Sequence, residues 1–269
     1  MRSEGRAEPV VSLVIPVYNE IECLPNLFRE IREAMGGQAL SYEIVAVDDG
    51  STDGSGEWLE QEAATDRTVV PVRFRRNAGQ TAAFAAGFHA ARGDIIVTLD
   101  ADGQNPPAEI PRLLAAMDDH VDLVAGFRAK RRDTAWRRFQ SRFANAVRNR
   151  LSNETIRDTG CSLKAFRARH VKAIPLFTGM HRFLPTLCRM AGASVVVEVA
   201  VDHRPRQAGT SKYGMWNRAF RALIDLLAVR WMQTRWIRYE LRDSAQACVP
   251  TPSTGPDTAV STSVARRLR

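Results

Sequence analysis

The chain has 269 residues and a mass of 29.9 kDa; it is 45% hydrophobic and 25% charged, which suits one large α/β domain and excludes collagen, a largely disordered protein and a disulfide miniprotein. Lysine and arginine number 38 against 30 acidic residues, a net charge of +8, and that excess favours an anionic partner: nucleic acid, nucleotide phosphates or an acidic membrane surface. Cys23, Cys161, Cys188 and Cys248 form no CxxC pair and no metal-ligand spacing, as expected of reduced thiols. No run reaches the ~18 apolar residues of a spanning helix. The opening MRSEGRAEPV has no apolar core and does not read as a signal peptide, so a cytoplasmic chain, free to lie on a membrane, is expected.

Residues 1–9 are polar and read as a flexible N-terminus. Val10 to Val17 is apolar throughout, a buried strand closed by Tyr18-Asn19-Glu20. Ile21, Leu24, Phe28, Ile31 and Met35 then step by three and four along one helix face, and Gly36-Gly37 stops it. A strand at Glu43–Val47 runs into Asp48-Asp49-Gly50-Ser51, followed by a helix at 55–64 and a strand at Val69–Phe74. A small-residue helix, Gly79–Ala91, leads to a fourth strand, Asp94–Leu99, and VDLVAGF makes a fifth that ends at Arg128. Alternation of this length predicts parallel pairing with helices on both faces, a doubly wound sheet. Short strands are expected at Ser162–Phe166 and Val195–Val201, and helix at 215–242. Residues 243–269, rich in Ser, Thr, Pro and Ala without periodicity, read as a disordered tail.

Acidic residues fall at strand C-terminal ends, where open α/β sheets bind ligands. Asp100-x-Asp102 is the key pattern: two carboxylates one residue apart after a buried strand suit a hard divalent cation, Mg²⁺ or Mn²⁺, that completes its shell with water and substrate phosphates. The plainer alternative is a turn-forming Asp pair. Asp48 and Asp53 equally suit caps of the turn and the following helix.

Four motifs in order, IPVYNE (15–20), VDDGSTD (47–53), LDADGQNPP (99–107) and HRPRQAGTSKYG (203–214), resemble the GT-A glycosyltransferases of family 2, and within them the dolichol- or polyprenol-phosphate sugar synthases of the dolichyl-phosphate mannose synthase type. The match covers about residues 10–240. It implies a single GT-A domain at 10–214, Rossmann-like with a mostly parallel sheet, followed by an amphipathic segment at 215–242. It further implies a nucleotide pocket of Pro16, Tyr18, Glu20, Val47 and Asp49, with Asp49 accepting a hydrogen bond from the base. Ala101 and Asp102 would touch the donor diphosphate, Asp102 and Gln104 would hold the metal, and Asp100 would face the ribose or lie behind the metal's ligands. Arg128, Arg206 and Lys212 would neutralise the departing diphosphate, the latter two from a loop that closes over it. These cations and Asp102 form the implied catalytic set. In the stretch 158–167, which resembles the acceptor side, Lys164 and Arg167 would bind the acceptor phosphate, although this chain has Ser162-Leu163-Lys164 where Ser-Phe-Arg is common.

The resemblance implies in-line transfer, with inversion, from GDP-mannose or a UDP-hexose to a polyprenyl or dolichyl phosphate. A phosphate monoester is already largely dianionic at neutral pH and needs no general base. Asp158 is the fallback base if the acceptor is a hydroxyl. Trp216, Phe220, Leu223 and Leu227 share one helix face, Arg218, Arg221 and Asp225 another, and Trp231 and Trp236 lie among Arg230, Arg235 and Arg238. Together with nine Arg or Lys residues between Arg128 and Arg150, this composition suits peripheral binding to anionic lipid on the cytoplasmic face, and an ordinary core-packed helix equally. Oligomerisation or a membrane-protein partner is compatible with either. Two rivals stand beside this reading, under which no nucleic-acid partner is expected: a family-2 transferase acting on a glycan hydroxyl, and a basic nucleic-acid-binding protein, which would have no use for DxD.

Overall fold

The computed structural model describes residues 9–128, 156–205 and 215–237, with side chains from 223 onward in the last segment. Calls on residues 1–8, on the basic stretch 129–150, on Arg206 and Lys212, on Arg238 and the remainder of 238–242, on the tail, and on the side chains of Trp216, Arg218, Phe220 and Arg221 lie outside the described residues.

Strands β1 (Val11–Val17), β2 (Tyr42–Asp48), β3 (Val69–Arg73) and β4 (Ile95–Thr98) alternate with helices α1 (Leu24–Gly36), α2 (Ser55–Thr65) and α3 (Gln80–Ala90). Helix α4 (Ile110–Ala115) leads to β5 (Leu123–Arg128). Then come β6 (Lys164–Arg167), short α5 (Ala168–Val171), a 3-10 turn at Met180–Phe183, α6 (Leu184–Met190), β7 (Val196–Val201) and α7 (Met215–Arg235). The described strands form a seven-stranded sheet in the order β3-β2-β1-β4-β6-β5-β7. All pairs are parallel except the two made by β6, which is inserted between β4 and β5 against both.

The apolar run of β1 reflects cover on both faces. Alternate residues Leu13, Ile15 and Val17 pack with Phe28 and Ile31 of α1, Leu59 of α2 and Leu113 of α4. Val14 turns to the other layer, with Phe84 and Phe88 of α3, Leu187 of α6, and Leu226 and Val229 of α7. At Gly87 the small-residue face of α3 lies so close to β1 that a Cβ would run into the Val14 side chain.

The sheet order reverses between β1 and β4, the switch point at which α/β sheets open a crevice. Pro16 lies on its edge. The Val14 carbonyl accepts the Leu99 N–H on the β4 side and the Val17 carbonyl accepts the Asp49 N–H on the β2 side, so Pro16 faces β4 beyond the last β1–β4 pair, Val14–Thr98. Its missing N–H therefore breaks no ladder bond.

Far from that crevice, buried Asp122 ties the starts of β5 and β7 to α5. It accepts from the Ser194 and Val195 N–H groups at 2.9 and 3.2 Å and lies 2.8 Å from His170 Nε2. Burial alone would raise this carboxyl, but these donors and Arg169 outweigh it and hold it well below the ordinary carboxylate range.

Helix α7 ends at Arg235, short of the expected 242, and β6 starts and ends slightly later than the apolar run indicates. The 3-10 turn and α6 carry no clear sequence period.

Candidate active site

Three loops at the C-terminal end of the sheet are stitched together by the motif residues. Asn19, at φ 55°, donates its N–H to Ser51 Oγ and accepts the Thr52 N–H on Oδ1. The Glu20 N–H reaches Ser55 Oγ and the Ile21 N–H reaches Asp53 Oδ2, while Asp53 Oδ1 takes both the N–H and the hydroxyl of Ser55. Burial tends to raise Asp53, and these bonds outweigh it and lower it. Asp48 accepts the Ser51 N–H at 2.9 Å. The capping reading of Asp48 and Asp53 thus describes what both do here.

Asp49 is buried, and three donors take both of its oxygens: Ala78 N–H at 2.7 Å, Gly79 N–H at 2.9 Å and Asn77 Nδ2 at 2.9 Å. Burial pushes its pKa up against those N–H bonds. In this arrangement Asp49 organises the 77–79 turn through both of its oxygens. Gly50 allows the approach: it adopts φ +71°, and a Cβ would collide with the Arg76–Asn77 backbone. Val47 is buried in the α3 layer, whereas Tyr18 is 38% exposed at the crevice mouth beside half-buried Pro16 and Glu20.

Across the crevice stands the acidic loop. Asp102 is half-buried; its Oδ1 accepts the Gln104 N–H at 3.1 Å, and Oδ2 has no protein partner among the described residues. Ala101 is buried beneath it. Asp100 accepts from Gln80 Nε2 at 2.8 Å and from Ser162, and burial followed by the Asp102 charge raises its pKa. Ser162 also receives the Asn105 amide at 2.8 Å, so the 158–164 stretch is bonded directly to the DxD loop. Among the described residues no three His, Cys, Asp or Glu side chains form a metal cage. Asp102 Oδ2 therefore fits a hard cation that takes its remaining ligands from water and a diphosphate.

Arg128 and Asp158 form a two-pronged ion pair, Nε–Oδ2 2.7 Å and Nη2–Oδ1 2.9 Å, and the Arg128 N–H also points at Oδ2. A Cβ on Gly160 would sit 3.1 Å from that guanidinium. This pair fixes Arg128 at the end of β5 and ties both oxygens of Asp158 to it.

Lys164 is buried, with its ammonium on the carbonyls of Thr159 and Cys161, and burial lowers its pKa. It faces the protein's own 158–164 stretch. Arg167 is a correction. Because β6 runs antiparallel, Lys164 pairs with Thr98 at the crevice end, whereas Arg167 pairs with Ile95 at the opposite end, about 10 Å away. There its guanidinium holds the carbonyls of Val121 and Asp118 at 3.2 and 2.6 Å. Arg167 is therefore a structural cation and not a ligand of the acceptor phosphate.

The sequence alone assigns no role to Gln80, Asn105, Ser162 or Arg204. The Arg204 N–H bonds the Gln104 carbonyl at 2.8 Å and its guanidinium clasps Glu30 of α1, so the exit of β7 is laid against the DxD loop. Arg206 and Lys212 follow that anchored exit. The HRPR of the fourth motif was the available signal.

A glycosyl transferase family 2 profile matches residues 12–174. The chain belongs to that family. It is 44% identical over 218 residues to the undecaprenyl-phosphate 4-deoxy-4-formamido-L-arabinose transferase of Pseudomonas fluorescens, covering 81% of this chain and 63% of that protein. The transferase of the same name from Edwardsiella ictaluri is 42% identical, covering 79% of this chain and 66% of its own length. The chain thus spans under two thirds of the length of these relatives. Among solved structures, glucosyl-3-phosphoglycerate synthase from Mycobacterium tuberculosis superposes with a TM-score of 0.61 at 18% identity, covering 86% of this chain and 81% of that one. The Pyrobaculum calidifontis mannosyltransferase superposes at 0.56 and 20%, covering 87% and 66%. The fold is GT-A.

The family-2 site makes the Arg128–Asp158 pair testable. Its exposure lies between that of surface and fully buried pairs, so Arg128→Met or Asp158→Asn alone should cost about 2 kcal/mol in denaturant unfolding. The double variant should be no less stable than the worse single one. Strict additivity would show that the two charges do not support each other.

Proposed function

We propose that the chain catalyses inverting transfer of a sugar from a nucleotide-sugar to a polyprenyl phosphate, with Mg²⁺ or Mn²⁺. The observation that carries this reading is the meeting, at the β1–β4 switch point, of the DxD loop with the 158–164 stretch through Ser162. The names of the 42–44% identical relatives support the lipid phosphate acceptor. Solved complexes of the structural neighbours with Mn²⁺ support the metal; one holds UDP and the other GDP-Man, so either base suits the donor.

In this reading Pro16, Tyr18, Glu20 and Val47 border the nucleotide, and the loop organised by Asp49 closes that end. Asp102 and Gln104 hold the cation, which when bound supplies positive charge against the departing diphosphate. Arg128, oriented by Asp158, adds fixed positive charge, joined by Arg206 and Lys212. Asp100, held by Gln80 and Ser162, keeps the loop in register behind Asp102. The acceptor phosphate attacks as an anion, so no side chain must remove a proton.

The direct assay incubates the protein with radiolabelled UDP- and GDP-sugars, including a 4-deoxy-4-formamido-L-arabinose donor, and either polyprenyl monophosphate or glycan acceptors. Metal-dependent label in the lipid is expected, and Asp102→Asn should lower kcat/KM by about a hundredfold or more. Label transferred to glycans alone would replace this reading with the hydroxyl-acceptor one.

A membrane-held acceptor also gives α7 a use. Leu226 and Val229 pack into the core, while Leu223, Ile224, Leu227 and Trp231 are exposed along the same helix, with Ile237 just beyond. Trp236 packs against the core, so helix α7 is core-packed on one edge and apolar to solvent on another. No described helix is long and apolar enough to cross a membrane. Peripheral docking of this edge on anionic lipid at the cytoplasmic face, aided by the exposed Arg230 and Arg235, follows as part of the proposal. Vesicle sedimentation should show binding that rises with anionic lipid and falls with salt. Leu223→Ser with Trp231→Ser should remove the part that salt leaves. A protein that ignores anionic vesicles at low salt would refute docking by this helix.

A further inference from the structure

Just past the 77–79 turn, the 3-10 turn Met180–Phe183 docks on the first turn of α3. Thr81 Oγ1 accepts the Gly179 N–H at 3.0 Å and lies 2.7 Å from His181 Nδ1. The hydroxyl has one proton, and among the described residues its one acceptor is that ring nitrogen. Thr81 therefore donates to Nδ1, which leaves the ring proton on Nε2. The ring is braced a second time by stacking on Phe84, with centroids 6.3 Å apart and planes at 28°. Nε2 has no protein partner among the described residues, and the side chain is only partly buried. Burial, with the charges of Arg182 and Lys164 adding to it, brings this imidazole down to about 4, so it is neutral at pH 7. Gln80, beside Thr81, holds Asp100, so one helical turn fixes both the DxD loop and this imidazole.

A ring held at Nδ1 and on its face, with an unspent N–H at Nε2, is a preorganised donor. The charges it feels are Arg182 beside it and Lys164 of the 158–164 stretch, which the reading above gives to the acceptor. We infer that His181 binds the acceptor, donating its Nε2–H to an oxygen of the incoming phosphate. The inference rests on the polyprenyl-phosphate reading above and adds a residue to it. It also supplies a ligand that Arg167 does not provide and that Lys164, turned onto its own loop, provides only as nearby charge.

The test is steady-state kinetics with polyprenyl monophosphate and the nucleotide-sugar varied separately. His181→Asn keeps a polar group facing Thr81 but removes the Nε2 donor; it should raise the acceptor KM about tenfold or more and leave the donor KM unchanged. His181→Gln returns a donor near the Nε2 position and should recover much of that loss. A wild type that turns over polyprenyl phosphate, with a His181→Asn acceptor KM within about twofold of it, would overturn this inference alone. A wild type that does not use polyprenyl phosphates overturns the functional reading, and this inference with it. Should His181→Asn melt below the assay temperature, His181→Gln carries the test, and equal rises in donor and acceptor KM would count against the role.

Discussion

Strand β6 runs against every neighbour in an otherwise parallel sheet, and the site depends on that reversal. A parallel strand in its place would deliver its C-terminal residues to the crevice and leave 158–163 at the far end. Running the other way, β6 brings its N-terminal approach beside the ends of β4 and β5. Ser162 can then bond Asp100 and Asn105, and Asp158 can fork Arg128. The loops at the ends of β1 to β4 and the 158–164 stretch meet because of this geometry. The family match, residues 12–174, takes in both.

Charge in the crevice is arranged in layers. Asp49 and Asp53 are bonded into the β1, β2 and β3 loops and Asp100 into the DxD loop, while Asp102 uses only Oδ1, on the Gln104 N–H. Buried Lys164 lies beneath them on backbone carbonyls and offsets part of the negative charge. A reaction that expels a diphosphate gains most from charges that do not reorganise as it proceeds, and tethered groups of this kind meet that need.

Much of the fold was legible because β1 to β4 and their helices have clean periods: the apolar run Val11–Val17 and the Leu24, Phe28, Ile31, Met35 stripe fall where the pattern put them. The motif residues were legible as a group, since strand-end acids in an α/β chain converge on one edge. Orientation was not. Four apolar-to-basic residues at 164–167 look the same in either direction, so Lys164 and Arg167 read as partners although the strand separates them. Nor does a sequence show which carboxylates are spent: Asp49 looks like a free acceptor until Ala78, Gly79 and Asn77 are folded onto it. The Arg128–Asp158 pair and the Thr81–His181 contact join residues 30 and 100 positions apart, beyond any local pattern.

The account holds that the acceptor phosphate attacks the anomeric carbon directly, from the face opposite the diphosphate, with no covalent sugar–enzyme intermediate. The measurement that bears on this most directly is the anomeric configuration of the lipid-linked product, read by NMR after transfer from a donor ¹³C-labelled at the anomeric carbon. Inversion relative to the donor is the predicted result. Retention would require a different course, such as a covalent sugar–enzyme intermediate, and would contradict the account.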